Sequence, residues 1–153
     1  MVQNKGVWFY GLSGSGKSFA SELLSKKIKY SCLIDGDIVR KYISYDLKYS
    51  KKDRNIQLHR VLGISRIAIG SNIFPIISTV WMNEKILAES KKLGIKVIKI
   101  KTDINNLINT HKTYKNKKDV VGVNIKYSRN LNTETIINNK DEEFCKTIKK
   151  LIR

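Results

Sequence analysis

Residues Gly11-Leu12-Ser13-Gly14-Ser15-Gly16-Lys17-Ser18 form a complete P-loop, directly after an apolar run, Val7-Trp8-Phe9-Tyr10, that has the length and composition of a buried strand. A glycine-rich turn between a strand and a helix aims several backbone N–H groups and a helix N-terminus into one concavity. That is the environment a nucleotide's phosphates need. Gly11, Gly14 and Gly16 permit the backbone angles and close approach, and Ser13 and Ser15 belong to the same cradle. Lys17 has the reach for β- and γ-phosphates, and the Ser18 hydroxyl is placed to ligate Mg²⁺. ATP and Mg²⁺ are therefore the expected ligands. The motif also constrains the fold, because it works only where a strand feeds a helix at the edge of a sheet.

The 153 residues suit one domain, 1–153, long enough to bury roughly two-thirds of the unfolded surface. No apolar stretch approaches the ~20 residues of a membrane span, and the first residues lead straight toward a strand, so a cytoplasmic protein without membrane association is expected. Cys32 in a strand and Cys145 in a helix read as free thiols. The formal charge of +17 makes polyanions natural partners. The excess is scattered lysine, as in Lys91-Lys92, Lys117-Lys118 and Lys149-Lys150, without an arginine stripe or aromatic stacking array. That pattern describes solvated faces with a share in phosphate attraction, and nucleic acid is not the expected partner.

Helical periodicity predicts a first helix over 17–28 with Phe19, Leu23, Leu24 and Ile28 on its apolar stripe, and a short strand over 31–34. One helical turn is expected at 38–42 and a polar loop at 44–52. The longest helix is expected over 54–69, closed by Gly70. Residues 73–78 read as a buried strand despite Pro75, the chain's single proline, which removes a ladder donor. Asn83 is a helix cap for a segment ending at Gly94, 95–100 is a strand, and Asp103 caps a short helix to Asn109. Residues 111–130 are basic and irregular, the character of a lid over the site. A C-terminal helix over 141–152 is expected to face the core with Phe144, Ile148, Leu151 and Ile152. Strands alternating with helical crossovers imply an α/β fold: three layers, with a mainly parallel sheet between helices.

Asp35-Gly36-Asp37 follows the second strand, so two carboxylates emerge at the edge where open α/β sheets carry their sites. Asp37 is a candidate base or hydroxyl-orienting group, Arg40 a cation for a substrate phosphate. Asp35 reads equally as a site residue or as a strand-end turn.

Taken together, GLSGSGKS, then CLIDGDIVR at 32–40, then DLKYSKKDRNIQLHRV at 46–61, resemble adenylylsulfate kinase. In that family the P-loop precedes an LDGD-x-x-R segment, a D-L-x-[FY]-S-x-x-D-R stretch and an arginine-rich helix. The resemblance implies phosphorylation of the ribose 3′-hydroxyl of adenylyl sulfate by MgATP. By position it makes Asp37 the residue that orients or deprotonates the acceptor hydroxyl, turns Arg40 and Arg54 toward the substrate, puts Ser50-Lys51-Lys52-Asp53 in a substrate-side loop, and implies a homodimer. Lys17 is the other candidate catalytic residue, and Asp35, Gln57, Ser78 and Trp81 are the further candidate substrate contacts. The match covers 7–61 well and the rest in outline.

The departures lie on the acceptor side. Gln57 stands where the family has asparagine, and His59 where it has arginine. The family's I-S-P-[FY]-R becomes Ile77-Ser78-Thr79-Val80-Trp81: Ser78 is retained, and Trp81 replaces the arginine. Trp81 reads either as a stacking surface for a base or ribose, or as a core residue. His59 reads first as an exposed helix residue, with a phosphate contact as the alternative. The lid motifs are only echoed, with Lys112, Lys115 and Arg129 as cations that could approach ATP. Three functions follow. The first is transfer to adenylyl sulfate, the second transfer to another nucleotide such as cytidine diphosphoramidate in capsule biosynthesis, and the third a non-catalytic ATP- or nucleic-acid-binding module.

Overall fold

The computed structural model describes residues 4–114, 120–123, 125, 126 and 131–151. Five strands, β1 (Gly6–Tyr10), β2 (Ser31–Asp35), β3 (Phe74–Thr79), β4 (Ile95–Lys101) and β5 (Glu134–Ile137), make one sheet in the order β2-β3-β1-β4-β5. Every neighbouring pair is parallel. The helices are α1 (Lys17–Ser25), α2 (Gly36–Tyr42), α3 (Lys51–Gly70), α4 (Glu84–Lys92), α5 (Ile104–Thr110) and α6 (Glu142–Lys150), with one 3-10 turn at Lys112–Tyr114. The sheet is the middle of three layers.

Strand β1 is buried along its whole length, and its alternation divides the core in two. Val7 and Phe9 pack with Ala20 and Leu24 of α1 and with Phe144 and Ile148 of α6. Trp8 and Tyr10 face the other way, toward Val61 and Leu62 of α3 and Ile86 and Leu87 of α4. An apolar side chain of this size contributes about 1.5–3 kcal/mol when fully buried, so a strand covered on both faces anchors the sheet. The crossover from β1 runs through α1 on one face and that from β3 through α4 on the other. Neighbouring strands β1 and β3 therefore flank a topological switch point, and a crevice opens beyond their carboxyl ends.

Several expectations needed correction. Phe19 is 51% exposed, and its ring stacks on Phe144 at 6.4 Å between centroids instead of entering the core. Helix α3 begins at Lys51, inside the segment expected to be loop, because Ser50 caps it by accepting from the Asp53 N–H at 3.1 Å. Gly70 lies within that helix. The chain leaves through Asn72 at φ 58°, whose short polar side chain tolerates the left-handed region. Pro75 does sit in a strand between two partners, at its second residue. Gly6 on β1 makes room for it: a Cβ there would lie 2.8 Å from Pro75 Cγ. Strand β5 was not expected at all. Ile152 and parts of the 111–130 segment lie outside the described residues. The caps at Asn83 and Asp103 and the free cysteines are as read from the sequence, whereas Asp141, expected as the first residue of the last helix, stands just outside it and caps it by accepting from the Phe144 N–H at 3.0 Å. No helix among the described residues is long and apolar enough to cross a membrane.

Candidate active site

The turn after β1 is held in the form the motif requires. Gly14 has φ 79° and Gly16 φ 99°, and a Cβ on Gly16 would stand 2.3 Å from Asn138 Nδ2, so only glycine fits there. Gly16 is the N-cap of α1 and no side chain caps that helix, leaving its first N–H groups to face an anion. Lys17 is buried at the start of α1, and its Nζ donates to the Leu12 carbonyl at 2.7 Å. Burial pushes the ammonium down to about 8, while the charges of Asp37 and Asp35 work in the opposite direction.

Asp35 ends β2 and caps α2. Its Oδ1 accepts from the N–H groups of Asp37 and Ile38 at 2.9 and 3.4 Å. Its Oδ2 accepts from Ser78 Oγ at 2.7 Å and Ser18 Oγ at 3.3 Å. Asp35 is thus both the turn residue and a junction joining three segments of the site. Asp37, exposed in the first turn of α2, faces the same cleft. The Ser18 hydroxyl beside the Asp35 carboxylate is a small set of hard oxygen donors. This suits Mg²⁺, which binds through one or two protein oxygens and takes its remaining ligands from water and phosphate. Among the described residues no cluster of three or more His, Cys, Asp or Glu offers a competing metal site.

In the same cleft Arg40 and Arg54 share the Tyr49 ring, with their guanidinium carbons 4.7 and 5.6 Å from its centroid. Arg40 Nη1 also donates to the Lys48 carbonyl at 2.5 Å, and Arg54 Nε to the Tyr49 carbonyl at 3.0 Å. The segment carrying Tyr49 is tied to α3 by a two-pronged pair, Arg60 Nη1 and Nη2 to the two oxygens of Asp46 at 2.5 and 2.7 Å. Gln57 is buried, with Nε2 donating to the Gly36 carbonyl at 2.8 Å. Trp81 is 5% exposed and its Nε1 donates to Asn55 Oδ1 at 2.9 Å, so the ring belongs to the core even though it also lines the cleft.

One cleft of about 1100 Å³ collects these groups: Ser13, Gly14, Gly16, Lys17 and Ser18 of the P-loop and α1, together with Asp35, Asp37, Arg40, Arg54, Gln57, Ser78 and Trp81. Gly11 and Ser15 stand behind it. Gly11 donates its N–H to the Thr79 carbonyl at 3.2 Å, and Ser15 is fully buried. Lys112 lines the cleft, whereas Lys115 and Arg129 lie outside the described residues. Three contributors were not among the candidate site residues. Tyr114 donates its hydroxyl to the Ser13 carbonyl at 3.0 Å, Asn138 Nδ2 donates to the Ser15 carbonyl at 2.8 Å, and Asn55 receives the Trp81 indole. Their partners are distant in the chain, so spacing could not reveal them.

Comparison with known proteins agrees with this architecture. An adenylyl-sulfate kinase of Picosynechococcus is 32% identical over 90 residues, which cover 56% of this chain and 51% of that one. One of Geotalea uraniireducens is 39% identical over 71 residues, covering 44% and 34%. The chain thus spans about half or less of the length of these curated relatives. Among solved structures, an APS kinase of Mycobacterium tuberculosis in complex with AMPPNP and APS superposes with a TM-score of 0.84 at 20% identity, covering 97% of this chain and 95% of that one. At that identity the likeness speaks for the fold, a P-loop kinase sheet. The model of the family described as adenylylsulphate kinase matches residues 3–138, most of the chain, and this protein belongs to that family.

Proposed function

We propose that this protein is an ATP-dependent phosphotransferase that moves the γ-phosphoryl group of MgATP to the ribose 3′-hydroxyl of a nucleotide such as adenylyl sulfate. The observation that carries the reading is the single cleft in which the P-loop faces Asp37, Arg40 and Arg54. Its support outside the chain is family membership and the fold shared with an APS kinase whose solved complex holds AMPPNP and APS.

Catalysis on this reading is mainly positioning and charge stabilisation. The α1 N-terminus and Lys17 hold the triphosphate, and the charged Lys17 ammonium offsets negative charge on the transferring group. Ser18, with Asp35 bonded to it, would hold Mg²⁺, which would supply charge neutralisation on the phosphates. Asp37 aligns the attacking hydroxyl and accepts its proton. Arg40 and Arg54 bind the anionic part of the acceptor. The described part of the 111–130 segment packs against Leu12 of the P-loop through Tyr114 and Val120 and helps to exclude water.

A second acceptor class has one specific observation in its favour. The position where the family pattern has an arginine is a buried tryptophan bound to Asn55, which removes one cation from the acceptor wall. A charge-assisted hydrogen bond contributes about 1.5–3 kcal/mol, enough to shift preference toward another nucleotide such as cytidine diphosphoramidate. Incubation of purified protein with MgATP and each acceptor, with ADP release followed and products identified by mass spectrometry, separates the readings. Phosphorylated adenylyl sulfate establishes the first and product from another nucleotide alone the second. ATP bound without product leaves the non-catalytic module.

A further inference from the structure

The phosphate cradle is gripped from behind by two residues remote from the motif. Asn138 follows β5, and every polar group it owns is engaged. Its N–H donates to the Lys101 carbonyl at 2.8 Å, and its carbonyl accepts from Thr102 Oγ1 at 3.1 Å. Its Oδ1 accepts from the Lys140 N–H at 2.9 Å, which orients the side-chain amide so that Nδ2 donates to the Ser15 carbonyl at 2.8 Å. From the other side, buried Tyr114 donates its hydroxyl to the Ser13 carbonyl at 3.0 Å. The His111 ring meets Tyr114 edge-on at 6.0 Å and sits where a side chain on Gly14 would be, 2.6 Å from a Cβ at that position.

The consequence follows from peptide geometry. A trans peptide is planar, so its C=O and N–H point in opposite directions. Drawing the Ser13 carbonyl toward Tyr114 turns the Gly14 N–H the other way, and drawing the Ser15 carbonyl toward Asn138 does the same for the Gly16 N–H. Gly14 and Gly16 both line the cleft. With φ values of 79° and 99° and no side chain, these two residues have the loosest backbone in the loop and the most to gain from being held.

We propose that Asn138 and Tyr114 are positioning residues for nucleotide binding, which act by fixing the two P-loop peptide planes whose N–H groups face the phosphates. The inference rests on the nucleotide-binding part of the function proposed above. Neither residue touches the acceptor side, so their effect is confined to the donor.

The test measures MgATP dissociation constants by calorimetry, Michaelis constants for ATP and acceptor, and thermal midpoints, for wild type, Asn138→Ala, Asn138→Asp and Tyr114→Phe. Loss of one neutral hydrogen bond predicts about three- to tenfold weaker ATP binding in Asn138→Ala and in Tyr114→Phe, with the acceptor Michaelis constant unchanged. Asn138→Asp sets an acceptor against the Ser15 carbonyl and weakens ATP further. Should Asn138→Ala not fold, Tyr114→Phe decides, since it keeps the buried ring and removes only the hydroxyl. Wild-type affinity for ATP in a folded Tyr114→Phe and in either folded Asn138 variant overturns the proposal, as does an equal rise in both Michaelis constants. Wild-type protein that binds no ATP defeats the phosphotransferase reading itself, a distinct result.

Discussion

Ser78 Oγ donates to Asp35 Oδ2 at 2.7 Å, joining the carboxyl ends of β3 and β2 at the floor of the cleft. The same oxygen receives Ser18, so the strand carrying the acceptor wall and the helix carrying the phosphate loop share one carboxylate. Ser78→Ala removes one donor and leaves the α2 cap intact, a loss of about 0.5–1.5 kcal/mol. Asp35→Ala removes the cap as well, for which about 0.5–2 kcal/mol is expected on its own, and strands the buried Ser78 hydroxyl. Chemical denaturation of the two variants should therefore rank them, with Asp35→Ala the less stable and the less active.

The buried ammonium of Lys17 predicts a pH signature. Its proton leaves near pH 8 in the folded protein and near 10.5 in the unfolded chain. Between those values the unfolded chain holds more protons, so this group's contribution to stability rises with pH across the window, and its unfavourable burial is felt in full below it. Lys17→Met should accordingly be more stable than wild type near pH 7, with the difference shrinking toward pH 10, as thermal unfolding of the pair across that range would show. Catalysis runs the other way. On the proposed mechanism it needs the charged form, so kcat/KM for ATP should fall above pH about 8 in wild type. Lys17→Ala should lose phosphoryl transfer by orders of magnitude and keep its fold.

Tyr49 holds two guanidinium groups at once, Arg40 at 4.7 Å and Arg54 at 5.6 Å. Each cation–π contact is worth about 0.5–1 kcal/mol at a partly exposed site. In Tyr49→Ala both arginines lose their shared rest, and the acceptor Michaelis constant should rise about three- to tenfold while that for ATP stays level. Tyr49→Phe, which keeps the ring, should restore it. Steady-state kinetics with each substrate varied in turn would show the split.

Trp81 is too deeply placed to be exchanged back for a cation. Trp81→Phe retains most of the volume and loses the bond to Asn55, a cost of about 1 kcal/mol. Trp81→Ala opens a cavity worth about 3–5 kcal/mol. In Trp81→Arg a charge enters a site that is 5% exposed, and a fall in thermal midpoint at least as large as that of the alanine variant is expected in place of a gain in affinity for anionic acceptors. A stable Trp81→Arg with tighter adenylyl sulfate binding would show that the indole is not part of the core.

Much of this protein is determined by local chemistry, and that part is legible in the chain. The P-loop after an apolar run fixes a strand-turn-helix, the side chains of Asn83 and Asp103 cap the helices that follow them, and Gly94 at φ 78° stops one. Each is an interaction between residues a few positions apart, so spacing reveals it. The same holds for the Asp35-Gly36-Asp37 turn and for Arg40 just after it, whereas Arg54 is marked out by the family resemblance and not by local spacing. Strand β5 left no such mark, because it is an edge strand of four residues with Ile136 alone buried, too little to make an alternating pattern. Yet its end supplies Asn138, which holds Ser15 from 123 residues away. Only the tertiary structure brought Trp81 inward onto Asn55, left Phe19 outside, and surrounded Lys17 closely enough to lower its affinity for a proton. Burial and long-range hydrogen bonding depend on which surfaces the packed layers cover, and that is settled by the whole sheet and its helices together.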